Sequence, residues 1–197
     1  MILKEYFQFY DKIFTNNFCD EIIKEFSLKK KEVASTGGGV NFNIRKSSIV
    51  FDNTANFIFK ETNELIRYTN KNKNWNFKID YPETFQFTEY ALNQFYHWHH
   101  DSHVEPYKKG DAHLINKVRK ISMSISLSEP EDYEGGDFLL DLRNGDNQNQ
   151  SNIISNPCMK NKGSAVVFPS FVWHKVLPVT KGTRYSGVIW YLGDSFV

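Results

Sequence analysis

The sequence predicts a mainly β fold with some α, in which a double-sheet core is buttressed by two N-terminal helices. Apolar residues recur at helical spacing in two early segments, 16–29 and 54–68. From residue 75 onward the hydrophobic period changes to two, which is typical of strands separated by turns. Aromatic residues make up 16% of the chain, and aromatic side chains favour strands.

Two helices precede most of the predicted strands. The first is predicted to begin after an N-cap at Thr15 or Asn16 and to end between Glu25 and Lys29, and the second covers 54–68. The residues predicted to face the core are Phe18, Ile22, Ile23, Phe26, Phe57, Ile58, Leu65 and Ile66. The predicted strands cover 5–10, 40–51, 75–81, 84–90, 121–128, 137–142, 165–168, 172–176 and 183–192.

The clearest alternation lies in residues 121–128, where every second residue is serine. It places Ile121, Met123, Ile125 and Leu127 on one face and Ser122, Ser124, Ser126 and Ser128 on the other. The pattern predicts a strand with a core behind it and a pocket or water in front.

Bulk properties exclude several classes of protein. At 197 residues the chain is predicted to form one domain, and its net charge of +1 argues against binding to nucleic acid or an anionic membrane. No apolar run approaches the roughly 18–20 residues that span a bilayer, and no secretory signal is visible. Cys19 and Cys158 are predicted to be reduced thiols. We therefore expect a cytoplasmic protein that binds neither nucleic acid nor membrane.

The histidines concentrate in one short stretch. Four of the six, His97, His99, His100 and His103, surround Asp101. In an extended chain alternate side chains share a face, which would align His97, His99, Asp101 and His103. A His-x-Asp pair supplies two of the three ligands of a 2-His-1-carboxylate iron site. A strand so rich in histidine could instead bind Zn(II), since His97 would be in phase with His99.

A distant third ligand and an anion receptor follow later in the chain. His174 lies on a predicted late strand, and Arg184 opens the last one. If this last segment is a strand, Arg184, Ser186 and Trp190 share one face. A guanidinium beside an aromatic wall is a good receptor for a carboxylate.

In the order and spacing of its motifs, the chain resembles the Fe(II)- and 2-oxoglutarate-dependent dioxygenases. The specific likeness is to the prolyl-4-hydroxylase-like branch, which includes the bacterial PKHD-type hydroxylases. The matching motifs are Tyr90-x5-Tyr96-x2-His99-x-Asp101, Asp132-Tyr133-x-Gly135-Gly136, Lys162-Gly163-Ser164 with Phe168-Pro169-Ser170, and His174-x9-Arg184. The likeness extends from a pattern at 14–22 to Trp190, which is nearly the whole chain.

The resemblance implies a double-stranded β-helix, or jelly-roll, and a site at its open end. One dioxygenase domain would cover 1–197, with N-terminal support over 1–74 and the jelly-roll core over 75–197. His99, Asp101 and His174 would bind Fe(II). Arg184, assisted by the Tyr90 hydroxyl, would bind the distal carboxylate of 2-oxoglutarate. Ser186 and Trp190 match further positions of the co-substrate pocket, and Ser126 stands where some relatives carry a tyrosine that also contacts this carboxylate.

The activity implied is hydroxylation of an unactivated C–H bond by O2, coupled to decarboxylation of 2-oxoglutarate to succinate and CO2. Peptidyl proline is the first candidate substrate, with free amino acids and other small molecules as alternatives, and ascorbate is a candidate reductant. The alternative of a different class is a non-catalytic jelly-roll module of cupin type that holds Zn(II). The sequence leaves the oligomeric state open.

The remaining expectations concern the neighbours of the site. Tyr96, His97 and Trp98 are candidate substrate contacts, although core packing suits Tyr96 and Trp98 equally well. We expect His100 and His103 at the surface.

Two expectations concern the rim of the site. Arg45 is expected to be a surface or structural charge. The polar segment 144–163 is predicted to be a long loop that either closes over the site or forms a solvated insertion.

Overall fold

The computed structural model describes residues 5–36, 39–102, 105–108, 110–142 and 152–196. In this part of the chain there are two helices, α1 (Asn16–Ser27) and α2 (Asn56–Asn72), and fourteen strands. The strands are β1 (Gln8–Tyr10), β2 (Glu32–Val33), β3 (Arg45–Lys46), β4 (Ser48–Asp52), β5 (Pro82–Tyr90), β6 (Phe95–His99), β7 (Lys117–Ser126), β8 (Tyr133–Gly135), β9 (Phe138–Asp141), β10 (Ile153–Ile154), β11 (Ala165–Pro169), β12 (Trp173–Val176), β13 (Val179–Gly182) and β14 (Arg184–Asp194).

The strands form two main antiparallel sheets. The large sheet has the order β1-β11-β7-β14-β5-β4-β2, and the small sheet has the order β10-β9-β12-β6-β3. A two-stranded ribbon pairs β13 with β8. The prediction of a mainly β fold with N-terminal helices is confirmed.

The helices cover one face of the large sheet. Helix α1 begins after Thr15, whose side chain accepts a hydrogen bond from the Phe18 amide at 3.2 Å, as an N-cap does. Its Phe26 ring lies 5.0 and 5.8 Å, centroid to centroid, from the rings of Phe85 and Phe87 on β5. Burial of this apolar face against the sheet is what holds the helix in place.

Strand β7 alternates as its sequence predicts. Ile121, Met123 and Ile125 are fully buried in the same cluster as the helix residues. Ser124, on the opposite face, lines a cavity between the two sheets. One face of the large sheet therefore carries the helices, and the other faces the small sheet.

The chain before residue 75 also contributes strands to both sheets. Strand β1 pairs with β11, and β2 pairs with β4 at the far edge of the large sheet. Strand β3 pairs with β6 in the small sheet. The predicted strand over 40–51 is thus two strands that belong to different sheets.

The predicted strand over 75–81 is wrong. Asn74 and Asn76 have positive φ angles, 54° and 51°, which are incompatible with a regular strand. The Asn70 side chain donates to the Phe77 carbonyl and accepts from its amide, so these backbone groups bond to a side chain and not to a neighbouring strand.

The predicted long loop over 144–163 is partly structured. Residues 152–163 include β10 and a short 3₁₀ helix, Pro157–Lys160. The interpretation of this loop as a cover for the site falls in part on residues 144–151, which lie outside the described residues. Among the residues that are described, no helix is both long and apolar enough to cross a membrane.

Candidate metal and co-substrate site

Strand register brings the predicted ligands together. His99 on β6 is paired with His174 on β12, and their ring centroids are 4.0 Å apart. Asp101 follows β6, and its two carboxylate oxygens lie 3.8 Å from His99 Nε2 and 3.6 Å from His174 Nε2. One ligand atom from each residue lies within 4.8 Å of the others, a spacing that fits a single metal ion.

The protonation of these groups also suits a metal. The Nδ1 atoms of His99 and His174 lie 2.8 and 3.0 Å from the carbonyl oxygens of His97 and Val172. A carbonyl only accepts, so each Nδ1 donates and each Nε2 keeps its lone pair. Burial, together with His174, holds the pKa of His99 well below its usual range. Burial would raise the pKa of Asp101, but His174 and His99 outweigh it and lower that pKa to about 2.

The sequence predicted that His97 would be in phase with His99, and the structure shows that it is not. His174 pairs with His99 and Val176 pairs with Tyr96. Two residue steps along β12 therefore correspond to three steps along β6. This β-bulge rotates the strand, so Tyr96 and His99 share a face and His97 is exposed. In the described residues, the group that could hold a metal is limited to His99, Asp101 and His174.

Arg184 is a buried cation whose terminal nitrogens have no partner. It pairs with Tyr90 across β14 and β5, and its guanidinium carbon lies 5.5 Å from the Tyr90 ring centroid. Arg184 is 1% exposed, and neither Nη1 nor Nη2 has a hydrogen-bond partner among the described residues. A bare buried guanidinium is costly, and a carboxylate ligand would satisfy it.

Glycine at position 136 makes room for this arginine. Gly136 has a φ of +63°, and a Cβ there would lie 2.9 Å from Arg184 Cδ and 3.1 Å from Val179 Cγ2. The second glycine of the motif 132–136 therefore serves both the backbone turn and the arginine side chain.

Arg45 is buried, so it is not a surface charge, while the other expectation, a structural charge, agrees with its contacts. It is 5% exposed and lines the cavity, with its guanidinium carbon 4.4 Å from the Tyr96 ring centroid. The other face of Tyr96 stacks on His99, with ring centroids 3.4 Å apart and planes 12° apart. Arg45 Nε donates to Ser47 Oγ at 3.1 Å, but Nη2 has no partner among the described residues. Arg45, Tyr96 and His99 thus form a three-layer stack.

A cavity of about 320 Å³ is lined by the three predicted metal ligands together with Tyr90 and Arg45, whereas Arg184 is not among the described residues of its wall. The large sheet contributes Gln86, Tyr90, Arg119, Ser124, Ser186, Val188 and Trp190 to its wall, and the small sheet contributes Arg45, Tyr96, His99, Phe138, His174 and Val176. The site is therefore built between the sheets.

Ser186 and Trp190, the further residues predicted to line the co-substrate pocket, lie far apart along β14. Ser186 lines the cavity two residues from Arg184. Trp190 is paired with Ser122, six residues or about 20 Å along the strand from Arg184. Trp190 lies beneath Arg119, at 3.8 Å, and its Nε1 has no partner in the described part of the chain. The co-substrate roles of Ser186 and Trp190 stay predictions.

The candidate substrate contacts are also separated. Tyr96 lines the cavity, whereas His97 and Trp98 are not among the described residues of its wall. The His97 side chain accepts from the Trp98 amide, and Lys175 lies over the Trp98 ring at 4.5 Å. Substrate contact by these three residues stays a prediction.

The surface expectation for His100 is wrong. His100 is half-buried, lines the cavity and packs edge-on against the Trp173 ring at 5.0 Å. Its position follows from the turn that begins after β6 and directs residues 100 and 101 inward. His103 lies outside the described residues.

Sequence reasoning missed the groups that surround the ligands. Ser122 donates to Asp101 Oδ2 at 2.8 Å, and Arg119 binds Glu83 through two hydrogen bonds of 2.6 and 2.9 Å. The alternating serines of β7 were a signal for polar groups in front of the strand, but nothing in the pattern identified Asp101 as their partner.

The comparisons with known proteins agree with this site. The sequence profile of the 2OG-Fe(II) oxygenase superfamily matches residues 85–192, more than half of the chain. A PKHD-type hydroxylase of Alteromonas mediterranea is 31% identical over 104 residues, 53% of this chain and 41% of that protein. Another, of Shewanella frigidimarina, is 40% identical over 70 residues, 36% of this chain and 27% of that protein. The chain thus spans about two fifths or less of these relatives' length.

Solved structures share the fold. A prolyl-4-hydroxylase of Pseudomonas putida superposes with a TM-score of 0.72 at 18% identity, over 95% of this chain and 93% of that one. A prolyl hydroxylase of Trichoplax adhaerens, in complex with a peptide fragment of hypoxia inducible factor, gives 0.70 at 17% identity, over 95% and 84%. At these identities the likeness shows the fold alone, and the expected jelly-roll is confirmed.

Proposed function

Because the chain belongs to the 2OG-Fe(II) oxygenase superfamily, we propose that it is an Fe(II)- and 2-oxoglutarate-dependent hydroxylase acting on an unactivated C–H bond. One observation carries the proposal: three metal-ligand side chains line one cavity, and Tyr90 in the same wall is the cross-strand partner of Arg184, a buried arginine whose terminal nitrogens have no partner among the described residues. The ligands suit iron, and the arginine suits a carboxylate.

His99, Asp101 and His174 would hold the iron through two neutral imidazoles and one carboxylate. Bound there, Fe(II) would supply the oxidative chemistry that links decarboxylation of 2-oxoglutarate by O2 to hydroxylation of the substrate. The backbone carbonyls of His97 and Val172 fix both rings, so the Nε2 lone pairs are oriented before the metal arrives.

Arg184 and Tyr90 would orient 2-oxoglutarate. The distal carboxylate of the co-substrate would pair with Arg184, whose Nη1 and Nη2 have no hydrogen-bond partner among the described residues. Burial raises the pKa of Tyr90 although Arg45 and Arg184 act against it, so the phenol stays protonated and can donate to the same carboxylate. The cross-strand pairing of Arg184 with Tyr90 sets this geometry.

Apolar residues would keep water from the reacting groups. The rings of Phe138 and Phe168 pack against His174 at centroid distances of 5.6 and 4.8 Å, and Val176 completes this wall. A dry wall strengthens the charge interactions of the site and limits side reactions.

Peptidyl proline is the first prime substrate to test. The support comes from the names of the relatives, which are PKHD-type and prolyl hydroxylases, and free amino acids and other small molecules remain the alternatives. Ascorbate is the proposed reductant. The proposed compartment is the cytoplasm, supported by the free thiols of Cys19 and Cys158. A non-catalytic Zn(II) module of cupin type is not favoured, because the chain matches the oxygenase superfamily over its ligand-bearing residues.

The test measures succinate formed from 2-oxoglutarate by the purified protein with Fe(II), ascorbate and O2. We expect slow turnover without a prime substrate. Addition of a proline-containing peptide that the protein accepts as substrate should make turnover faster. Asp101→Ala should reduce turnover to background, whereas Asp111→Ala, the same change at an exposed aspartate away from the cavity, should not. Full turnover by Asp101→Ala, or none by the wild type, contradicts the proposal.

A binding measurement separates the two classes of function. Under anaerobic conditions, addition of 2-oxoglutarate to the Fe(II) protein should produce a weak metal-to-ligand charge-transfer band. A Zn(II) module would retain Zn(II) tightly and would not respond to 2-oxoglutarate. Its Zn(II) affinity would change little when Arg184 is changed to alanine.

A further inference from the structure

The serines of β7 have different partners. The Ser122 hydroxyl donates to Asp101 Oδ2 at 2.8 Å. Ser126, four residues along, donates to the Met159 carbonyl at 2.6 Å, and Ser124 between them lines the cavity. Within this serine row, Ser122 alone bonds to a proposed metal ligand, so its role differs from that of a generally polar wall.

A second hydroxyl completes a chain that ends on the carboxylate. Ser122 Oγ lies 2.9 Å from Ser170 Oγ. A serine hydroxyl has one proton, and that of Ser122 is directed to Asp101, so Ser170 must donate to Ser122. Both serines are fully buried, and hydrogen bonds in series at low dielectric strengthen one another.

Ser170 also holds the backbone next to the carboxylate. Its carbonyl oxygen accepts hydrogen bonds from the amides of Asp101 and Ser102, at 2.8 and 2.9 Å. Its own amide donates to the Lys120 carbonyl on β7 at 3.0 Å. The segment after β6, the end of β11 and strand β7 are therefore tied together at Asp101.

We propose that Ser122 and Ser170 are positioning residues that fix the carboxylate plane of Asp101 before a metal binds and thereby set the metal affinity of the site. The proposal rests on the proposed role of Asp101 as a ligand. An aspartate carboxylate rotates over a broad range about its last torsion, so an unrestrained group would lose this freedom on binding. A carboxylate oxygen has two acceptor directions, so Oδ2 can accept from Ser122 and still face His174.

The experiment measures Mn(II) binding to the full-length protein by calorimetry, without turnover. Ser122→Ala should weaken binding about 10-fold, the lower end of the effect of removing a group that orients a metal ligand. Ser170→Ala should weaken it less, because the bond from Ser122 to Asp101 remains. Ser122→Thr, which keeps the hydroxyl, should restore most of the affinity. Ser124→Ala, the matched control on the same face of β7, should change the affinity by less than about twofold.

A second readout distinguishes positioning from general packing. The rise in melting temperature that saturating Mn(II) produces over the metal-free protein should be smaller for Ser122→Ala than for the wild type. A purely structural serine would lower both melting temperatures equally and leave the rise unchanged. Equal Mn(II) affinity in Ser122→Ala and the wild type, or equal losses in Ser122→Ala and Ser124→Ala, overturns the proposal.

The outcomes also separate this inference from the proposed function. A wild type that binds no divalent metal contradicts both. A wild type that binds Mn(II) with an affinity independent of Ser122 overturns the positioning role alone. Should Ser122→Ala fold too poorly to measure, Ser170→Ala tests the proposal through the smaller loss expected of it: a loss of Mn(II) affinity no larger than that of Ser124→Ala overturns the positioning role.

Discussion

Arg119 and Arg184 lie on neighbouring strands of the large sheet and differ in how their charge is satisfied. Arg119 donates two hydrogen bonds to Glu83, and the Glu83 carboxylate also accepts from the Tyr107 hydroxyl at 3.0 Å. Arg184 is buried more deeply, at 1% exposure, and its terminal nitrogens have no partner among the described residues.

The difference separates a structural cation from a receptor. Arg119 is neutralised by Glu83 and packs over the Trp190 ring at 3.8 Å, so it holds one wall of the cavity. Arg184 keeps an unsatisfied charge at low dielectric, a cost that a ligand carboxylate would offset. The two arginines therefore act in opposite ways on the stability of the protein without ligands.

The largest expected effect is on stability. Arg119→Met should lower the free energy of unfolding by about 3 kcal/mol, because it leaves the Glu83 carboxylate without its cation. The measurement is urea unfolding of the protein without metal or co-substrate. Replacing both residues, Arg119→Met with Glu83→Met, should recover part of the loss, since no charge is then left unpaired. A double variant less stable than Arg119→Met contradicts the paired-charge explanation.

The next effect is on co-substrate binding. Arg184→Met should weaken 2-oxoglutarate binding about 100-fold, near 2.7 kcal/mol, because the distal carboxylate would face an apolar group. In the absence of ligands the same variant should be as stable as the wild type or more stable, by about 1 kcal/mol. Titration of the anaerobic charge-transfer band measures the first, and urea unfolding measures the second. A loss of stability as large as that of Arg119→Met would mean that Arg184 is already satisfied.

The smallest expected effect is that of replacing Arg45, which is intermediate between Arg119 and Arg184 in how its charge is satisfied. Among the described residues it has no carboxylate partner, but Tyr96 covers one face of its guanidinium at 4.4 Å. Arg45→Met should weaken Mn(II) binding by about 1 kcal/mol, roughly fivefold, because the ring that stacks on His99 loses its cation–π support. Arg67→Met, an exposed arginine on α2, is the matched control and should leave Mn(II) affinity unchanged. Equal affinities in both variants would show that the stack does not support His99.

Much of the fold could be predicted because it depends on local periodicity. The alternation in 121–128 fixed which face of β7 is buried, and Thr15 identified the start of α1. The strand prediction for 75–81 was wrong because its apolar residues alternate, whereas its middle residue, Phe77, bonds through its backbone to the Asn70 side chain and not to a neighbouring strand. Periodicity reports which side chains are buried and does not report what the backbone bonds to.

Sequence alone singled out the chemistry of the site. His99, Asp101, His174 and Arg184 are residue types with few alternative uses in that order and spacing. The structure brings the first three together and pairs the fourth with Tyr90, a residue of the cavity wall. What only the tertiary structure decided is which neighbours act on them. The β-bulge that exposes His97, the stack that buries Arg45 and the bond from Ser122 to Asp101 all depend on strand register. Register is set by pairing between distant segments, and residue patterns within one strand do not contain it.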